Sequence, residues 1–409
     1  MKKRYEINMT KGPLLPELLQ FILPLMLSSM LQIAFNAADL IVVGRFGRPH
    51  SMAAVGANGA MINLIINVLM GLATGGGVLC ARYYGANQTD KLHRTVSTTL
   101  ITGVIGGVIT GALGLALTVP LLRLVGSPDE VLPLATVYLR IYFLGLPVMA
   151  LYNFSAAALR ALGNTRQPLI YLAIAGVLNV IMNLFFVIVV GIDVAGVAIA
   201  TVLSQCVSGF LTVRCLLTSQ ELHVKELHFS GHIFKKMMNI GIPAGIQGSL
   251  FSISNFIIQA SVNSFGAAVI AGNSACVSVE GLLYCPSDAV MQAATTAVSQ
   301  NVGAQEYERS RSVARWSMVL VVVLTGMLTV PAVVFRRQVL GLYTSSGAEL
   351  QAAFSVYLPG CAECDFYEME LGTAGMMRGY MARRCDPYFT LERKIRRYLS
   401  TVSYTHLTL

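Results

Sequence analysis

The chain has 409 residues; 55% are hydrophobic and 12% charged, and 29 Lys and Arg against 20 Asp and Glu give a net charge of +9. Soluble domains carry about 25% charged residues, so this chain lacks the charge to cover a water-facing surface, which excludes a cytosolic enzyme, a disordered chain and a secreted disulfide scaffold. An all-α polytopic membrane protein remains, and its basic excess is read as loop topology rather than as a nucleic-acid surface.

Charge-free stretches set the predicted elements. Met1-Lys2-Lys3-Arg4 precedes residues 18–38, which are 21 residues without a charge, enough to cross a bilayer and too long for a signal-peptide core. Spans two to six are predicted at 49–81, 95–122, 131–159 (broken only by Arg140), 167–192 and 194–213. A polar segment at 218–236 follows, with three histidines and three lysines. Spans seven to nine are predicted at 237–265, 269–301 and 316–335, and a less regular tenth at 350–377 holds Glu363, Asp365, Glu368 and Glu370. Alternate loops differ in charge. One side collects fifteen Lys and Arg, from Lys2 to Arg315, and the other five. The positive-inside rule puts the N-terminus in the cytoplasm of a multi-pass cell-membrane protein, in the inner membrane if the source is a bacterium.

The sequence repeats itself. Pro24 and Pro243, Asn36 and Asn255, and the Phe46-Gly47 and Phe265-Gly266 pairs all lie 219 residues apart. Gly85-Ala86-Asn87 meets Gly303-Ala304-Gln305, and Arg160 meets Arg378, at 218. A constant offset predicts two six-helix units in the same sense, an architecture of transporters with a cavity between the halves. The expected domains are an N-terminal lobe at 1–217, a cytoplasmic linker at 218–236 and an incomplete C-terminal lobe at 237–387 that lacks its last two helices. Residues 388–409 are polar where an apolar span is due, and are expected to be foreign to the fold.

Within this frame Asp39 is the leading functional candidate. A carboxylate at mid-membrane costs roughly 2.5–3.5 kcal/mol, so it normally faces a cavity, where it can trade a proton or a sodium ion against a cation. The competing reading is a solvated residue at a helix end. Asn179 and Asn183 are one turn apart and share a face; they can equally serve as interhelical glue. Glu280, in span eight, reads as a cation-binding group of the second lobe or as a cavity residue that tunes the field. Asp288, two residues past Pro286, has a weaker case. Pro24 should bend span one, since it removes a helix hydrogen bond, and a bend there would move Asp39. Gly103, Gly107 and Gly111 mark close helix packing. Cys361, Cys364 and Cys385 lack a second pair at zinc spacing, and His223, His228 and His232 sit in the polar linker, so no metal centre is expected. No nucleotide loop or hydrolase motif is present. The chain is therefore expected to be no enzyme, to use no cofactor, and to draw on an ion gradient.

Several segments resemble the multidrug and toxic compound extrusion (MATE) family. They are Leu31-Gln32 through Asn36-Ala-Ala-Asp39, Val43-Gly44-Arg45-Phe46-Gly47, Ala158-Leu-Arg160-Ala-Leu-Gly163-Asn-Thr165, Asn179-x3-Asn183, Gly196-Val-Ala-Ile-Ala-Thr201 and Gln300-Asn301-Val-Gly303-Ala304. The resemblance covers residues 13–387 and implies a twelve-helix antiporter that expels cationic or amphipathic drug-like compounds in exchange for H⁺ or Na⁺. It implies that Asp39 faces a polar cluster of Asn179, Asn183 and Thr201, which would bind the coupling ion. Some members carry a second acid where Asn183 stands. Acids used for sodium on spans seven and ten of other members have no counterpart in span seven here. The expected partners are the lipid bilayer and a small organic substrate, with no nucleic acid, and the expected state is a monomer. The alternatives weighed are a non-transporting fragment, a lipid-linked oligosaccharide flippase of the same superfamily, and a membrane-embedded enzyme.

Overall fold

The computed structural model describes residues 7–47, 51–124, 129–218, 228–263 and 267–341. Among these residues the fold is helical, without strands. In chain order the elements are α1 (Leu14–Phe46), α2 (Ser51–Gly85), α3 (Thr89–Leu124), α4 (Leu132–Ala161), α5 (Arg166–Leu184), a π-helical turn (Phe185–Val190), α6 (Asp193–Thr218), α7 (Gly231–Asn263), α8 (Ala267–Gly303), α9 (Tyr307–Val334) and the short α10 (Arg336–Gly341).

Among the described residues, seven helices, α1 to α6 and α9, are long and apolar enough to cross a bilayer. At 33 and 37 residues α7 and α8 are as long. The nine spans predicted up to residue 335 all appear as helices, and they outrun the charge-free windows because a helix continues into the polar interface. The chain is a polytopic all-α membrane protein. The tenth span, the 388–409 tail and most of the linker lie outside the described residues.

The sequence explains local features of these helices. Thr95, Thr98, Thr99 and Thr102 each donate to a carbonyl one turn back, at 2.6–2.7 Å, which hides their hydroxyls inside the bundle. Asn164 and Gln167 exchange two hydrogen bonds, at 2.6 and 3.2 Å, at the start of α5. The expected fifth span is not one α-helix: α5 stops at Leu184, the π turn carries the chain on, and Gly191, at φ +72°, ends it. Only glycine adopts that backbone without strain.

The first six helices pack mainly on one another. α3 lies against α4 where Gly107 and Gly111 approach the Leu146 and Phe143 carbonyls, so that an added Cβ would sit 2.9 and 2.7 Å from those oxygens. The small-residue stripe on α3 is thus a packing surface. Their core holds Phe143, Leu146, Phe154, Tyr138, Tyr142 and Val197. Leu144 (67% exposed) and Val189 (71%) face outward, as a lipid-facing surface requires.

Contacts between the two groups of helices concentrate at one end. The second half of α2 lies along α7, with Gly71 against Gly245 and Gly75 against Gly241 and the Met237 carbonyl. Asn67 donates to Ser252 across this seam at 2.8 Å. Further along, Gly85 abuts the Gln300 carbonyl and Gly303 abuts the Arg82 carbonyl. Gln300 donates to the Ala161 carbonyl at 2.8 Å. A strap formed by residues 7–13 crosses the same end. Ile7 donates to the Gly163 carbonyl at 3.1 Å, and Met9 donates to Gln300 at 3.1 Å. Asn301 donates to the Met9 carbonyl at 3.0 Å. Arg309 on α9 donates to the Met9, Lys11 and Gly12 carbonyls and pairs with Glu17 at 3.1 Å.

α1 belongs to both groups. Its first half, Leu18, Phe21, Ile22 and Leu25, is buried against Ala289 to Val302 of α8 and against α9. Its second half packs on α5.

Candidate ion-coupling site

α1 continues seven residues past Asp39, so Asp39 lies inside the helix rather than at a solvated end, and it is 8% exposed. Packing fixes its neighbours. Gly176 on α5 has the Phe35 ring where a side chain would be, which lets α1 approach α5. One turn beyond Phe35 on α1 is Asp39, and two turns beyond Gly176 on α5 is Asn183. The side-chain amide of Asn183 donates to Asp39 Oδ1 and lies 3.2 Å from Asn179 Oδ1. Asn179 in turn donates to Thr201 Oγ1 of α6 at 3.4 Å, and Thr201 lies close to Asp39 as well. The Thr201 hydroxyl proton goes to the Val197 carbonyl at 2.9 Å, so its oxygen faces the cluster as an acceptor.

This geometry brings Asp39, Asn179, Asn183 and Thr201 together. Asn179 and Asn183 are 5% and 0% exposed. Among the described residues, Asn183 Oδ1 is buried without a hydrogen-bond partner. Carboxylate, amide and hydroxyl oxygens converge, one of them unsatisfied. Such a set suits a proton on the carboxylate or a hard cation such as Na⁺ among the oxygens. The π turn starts two residues after Asn183, and such turns recur at functional sites.

Sequence reasoning missed Tyr138 and Tyr142 of α4. Their rings stack at 6.4 Å, both are buried, and Tyr138 is near enough to Asp39 to interact with its charge. Their one-turn spacing was the available signal. It also missed Gly176 and Phe35, which look like ordinary lipid-span residues.

The other predicted residues lie elsewhere. Glu280 is partly buried on α8, beside Gly281, where an added Cβ would lie 3.9 Å from Ile33 of α1. Asp288 accepts from Ser29 of α1 at 3.4 Å and from Gln292 at 2.8 Å. Pro24 is buried in α1, and its carbonyl accepts from Ser28 at 2.8 Å. Among the described residues no group of His, Cys, Asp and Glu could hold a metal ion.

A family model described as MatE matches residues 24–185 and 243–364. The chain is similar to a probable multidrug resistance protein, YoeA, of Bacillus subtilis, with 28% identity over 346 residues, which is 81% of this chain and 74% of that protein. It is also similar to the probable multidrug resistance protein YpnP of the same organism, with 28% identity over 303 residues, 72% of this chain and 67% of that one. Among solved structures, a MATE protein in complex with MaD3S superposes with a TM-score of 0.84 at 21% identity, covering 92% of this chain and 85% of that chain.

Proposed function

Because this chain belongs to the MatE family, we propose that it is a secondary active multidrug exporter, which expels organic cationic or amphipathic compounds in antiport with H⁺ or Na⁺. The observation that carries the reading is the path of α1. Its Asp39 half is bound to α5 and α6, and its Leu18–Leu25 half is bound to α8 and α9. A helix shared in this way ties any change at Asp39 to the relative position of the two helix groups.

The proposed cycle alternates access to a cavity between the lobes 1–217 and 237–387. With the strap and the α2–α7 seam closed, the cavity opens to the opposite side. Asp39 then takes H⁺ or Na⁺, which removes its charge or draws the oxygens of Asn179, Asn183 and Thr201 around an ion. Substrate binding weakens, and by linkage substrate weakens ion binding equally. One charge crossing 100 mV supplies about 2.3 kcal/mol, enough for a concentration ratio of roughly fiftyfold. We place the protein in the cell membrane as a monomer with a cytoplasmic N-terminus. The orientation is supported by the gathering of the strap and the α2–α3, α4–α5 and α8–α9 connections, which carry the basic loops, at one end.

Efflux of a cationic dye from proteoliposomes, with H⁺ and Na⁺ gradients imposed separately, tests the reading. Efflux accelerated by one gradient is expected. Efflux indifferent to both would refute antiport.

A further inference from the structure

Where the two helix groups meet, the strap of residues 7–13 bonds to both, and unequally. Its hold on the second group is broad. The Met9 side chain is fully buried among Leu18 and Phe21 of α1, Val298 and Val302 of α8 and Val313 of α9. Asn301 of α8 donates to the Met9 carbonyl at 3.0 Å, and Arg309 of α9 donates to the Met9, Lys11 and Gly12 carbonyls at 2.8–3.0 Å. Arg309 also pairs with Glu17 in the first turn of α1. The bond to the first group is a backbone one, from the Ile7 N–H to the Gly163 carbonyl at 3.1 Å. Gly163, between α4 and α5, has φ +88°, and an added Cβ there would lie 2.1 Å from the Ile7 carbonyl oxygen. The strap backbone therefore fills a slot that only glycine leaves open.

The strap also orients Gln300, which is fully buried on α8. A backbone N–H only donates and a carbonyl only accepts. With the Met9 N–H on Gln300 Oε1 at 3.1 Å, the amide turns its NH₂ to the Ala161 carbonyl of α4, at 2.8 Å. The strap thus closes this end twice, directly at Gly163 and through Gln300. Asn8 stiffens the arm, since the Thr10 N–H and hydroxyl both donate to its side-chain oxygen, at 3.0 and 2.6 Å. Parting the strap from α8 and α9 would strip a charged donor of its acceptors and bring Met9 into water, whereas parting it from Gly163 gives up a backbone bond at a turn.

We propose that the strap is a latch that stays mounted on α8 and α9, moves with them and with the first half of α1, and closes this end by docking Ile7 on Gly163 and holding Gln300 to Ala161. Opening this end undocks Ile7 and leaves the mount intact. The latch rests on the export reading, which supplies the alternation that it controls.

Nitroxide pairs read by pulsed electron resonance in lipid nanodiscs test the latch on the full chain with its native cysteines replaced. One pair, Lys11→Cys with Arg166→Cys at the start of α5, spans the latch. The other, Lys11→Cys with Arg315→Cys on α9, stays on the mount. All three positions are exposed. The labelled parent should show short and long distances for the α5 pair and one distance for the α9 pair. Ile7→Pro removes the docking N–H, and Gly163→Ala fills the slot from the other side. Each should raise the long-to-short ratio of the α5 pair about threefold to tenfold, the worth of one hydrogen bond, and leave the α9 pair as in the parent. A split α9 distance in the parent overturns the latch without any variant. An α5 pair that neither variant shifts overturns it too, as does lengthening of both pairs, which would mean that the strap comes away whole. Gradient-driven dye efflux by the labelled parent is measured alongside. Efflux with an unshifted α5 pair sinks the latch and leaves export standing. A shifted α5 pair in a chain without efflux supports the docking point and counts against export.

Discussion

The Phe35 ring occupies the place of a side chain at Gly176, and this contact sets Asp39 of α1 against Asn183 of α5. The ion cluster therefore depends on a missing methyl group at a neutral position. Gly176→Ala should overpack the joint, costing about 1–3 kcal/mol, and should lower gradient-driven efflux. Adding Phe35→Leu should restore part of both losses. Thermal unfolding and efflux of the two single variants and the double variant check this, and additive losses would argue against a shared contact.

Asn183→Ala removes the amide that donates to Asp39 and also the unpartnered Oδ1. We expect membrane insertion to persist and the ion dependence of efflux to shift to higher ion concentration. An unchanged ion-activation curve would show that Asn183 serves only packing.

Pro24 lies in the half of α1 held by α8 and α9. Pro24→Ala restores a helix hydrogen bond and should stiffen α1. Efflux should slow, and access of a water-soluble carboxyl reagent to Asp39 should change. Wild-type rate and access together would remove the bend from the mechanism.

The α2–α7 seam brings Gly71 and Gly245 into backbone contact. Asn67 and Ser252 meet through their side chains across the same seam at 2.8 Å, and a chain carrying Asn67→Cys and Ser252→Cys should cross-link under mild oxidation and stop transporting, and reductant should restore it. The single variants control for the native cysteines. Cross-linking without inhibition would mean that this end never opens.

Arg309 ties three strap carbonyls and Glu17 to α9. Arg309→Ala should make residues 7–13 more sensitive to protease and lower the unfolding temperature, since shielded bonds to a charged donor are worth about 1.5–3 kcal/mol and exposed ones less. Unaltered proteolysis would show that the strap is held by Met9 and Ile7 alone.

The helices were legible because a bilayer forbids charge, so charged positions such as Lys11 and Glu17 before span one, or Arg82, Lys91 and Arg94 between spans two and three, bracket spans without reference to neighbours. Asp39 was legible for the same reason, as an acid inside such a window. The partners of each helix were not. A lipid span is apolar all round, so periodicity does not mark which face meets a neighbour. Hence α1 reads as one uniform helix, whereas it changes partners between Leu25 and Phe35. Tyr138 and Tyr142 gave no charge signal, and the π turn after Leu184 has no mark except Gly191. Arg160 was counted as a loop cation, because only the packing of α2, α4 and α8 shows that it lines a cleft.

The central claim is that the carboxylate of Asp39 couples an ion gradient to export. Gradient-driven dye efflux from proteoliposomes containing Asp39→Asn, compared with wild type at equal protein incorporation, tests it most directly. The account predicts that the variant inserts, binds dye and shows no acceleration by either H⁺ or Na⁺ gradients. Efflux by the variant that still follows the gradient at the wild-type rate would contradict it.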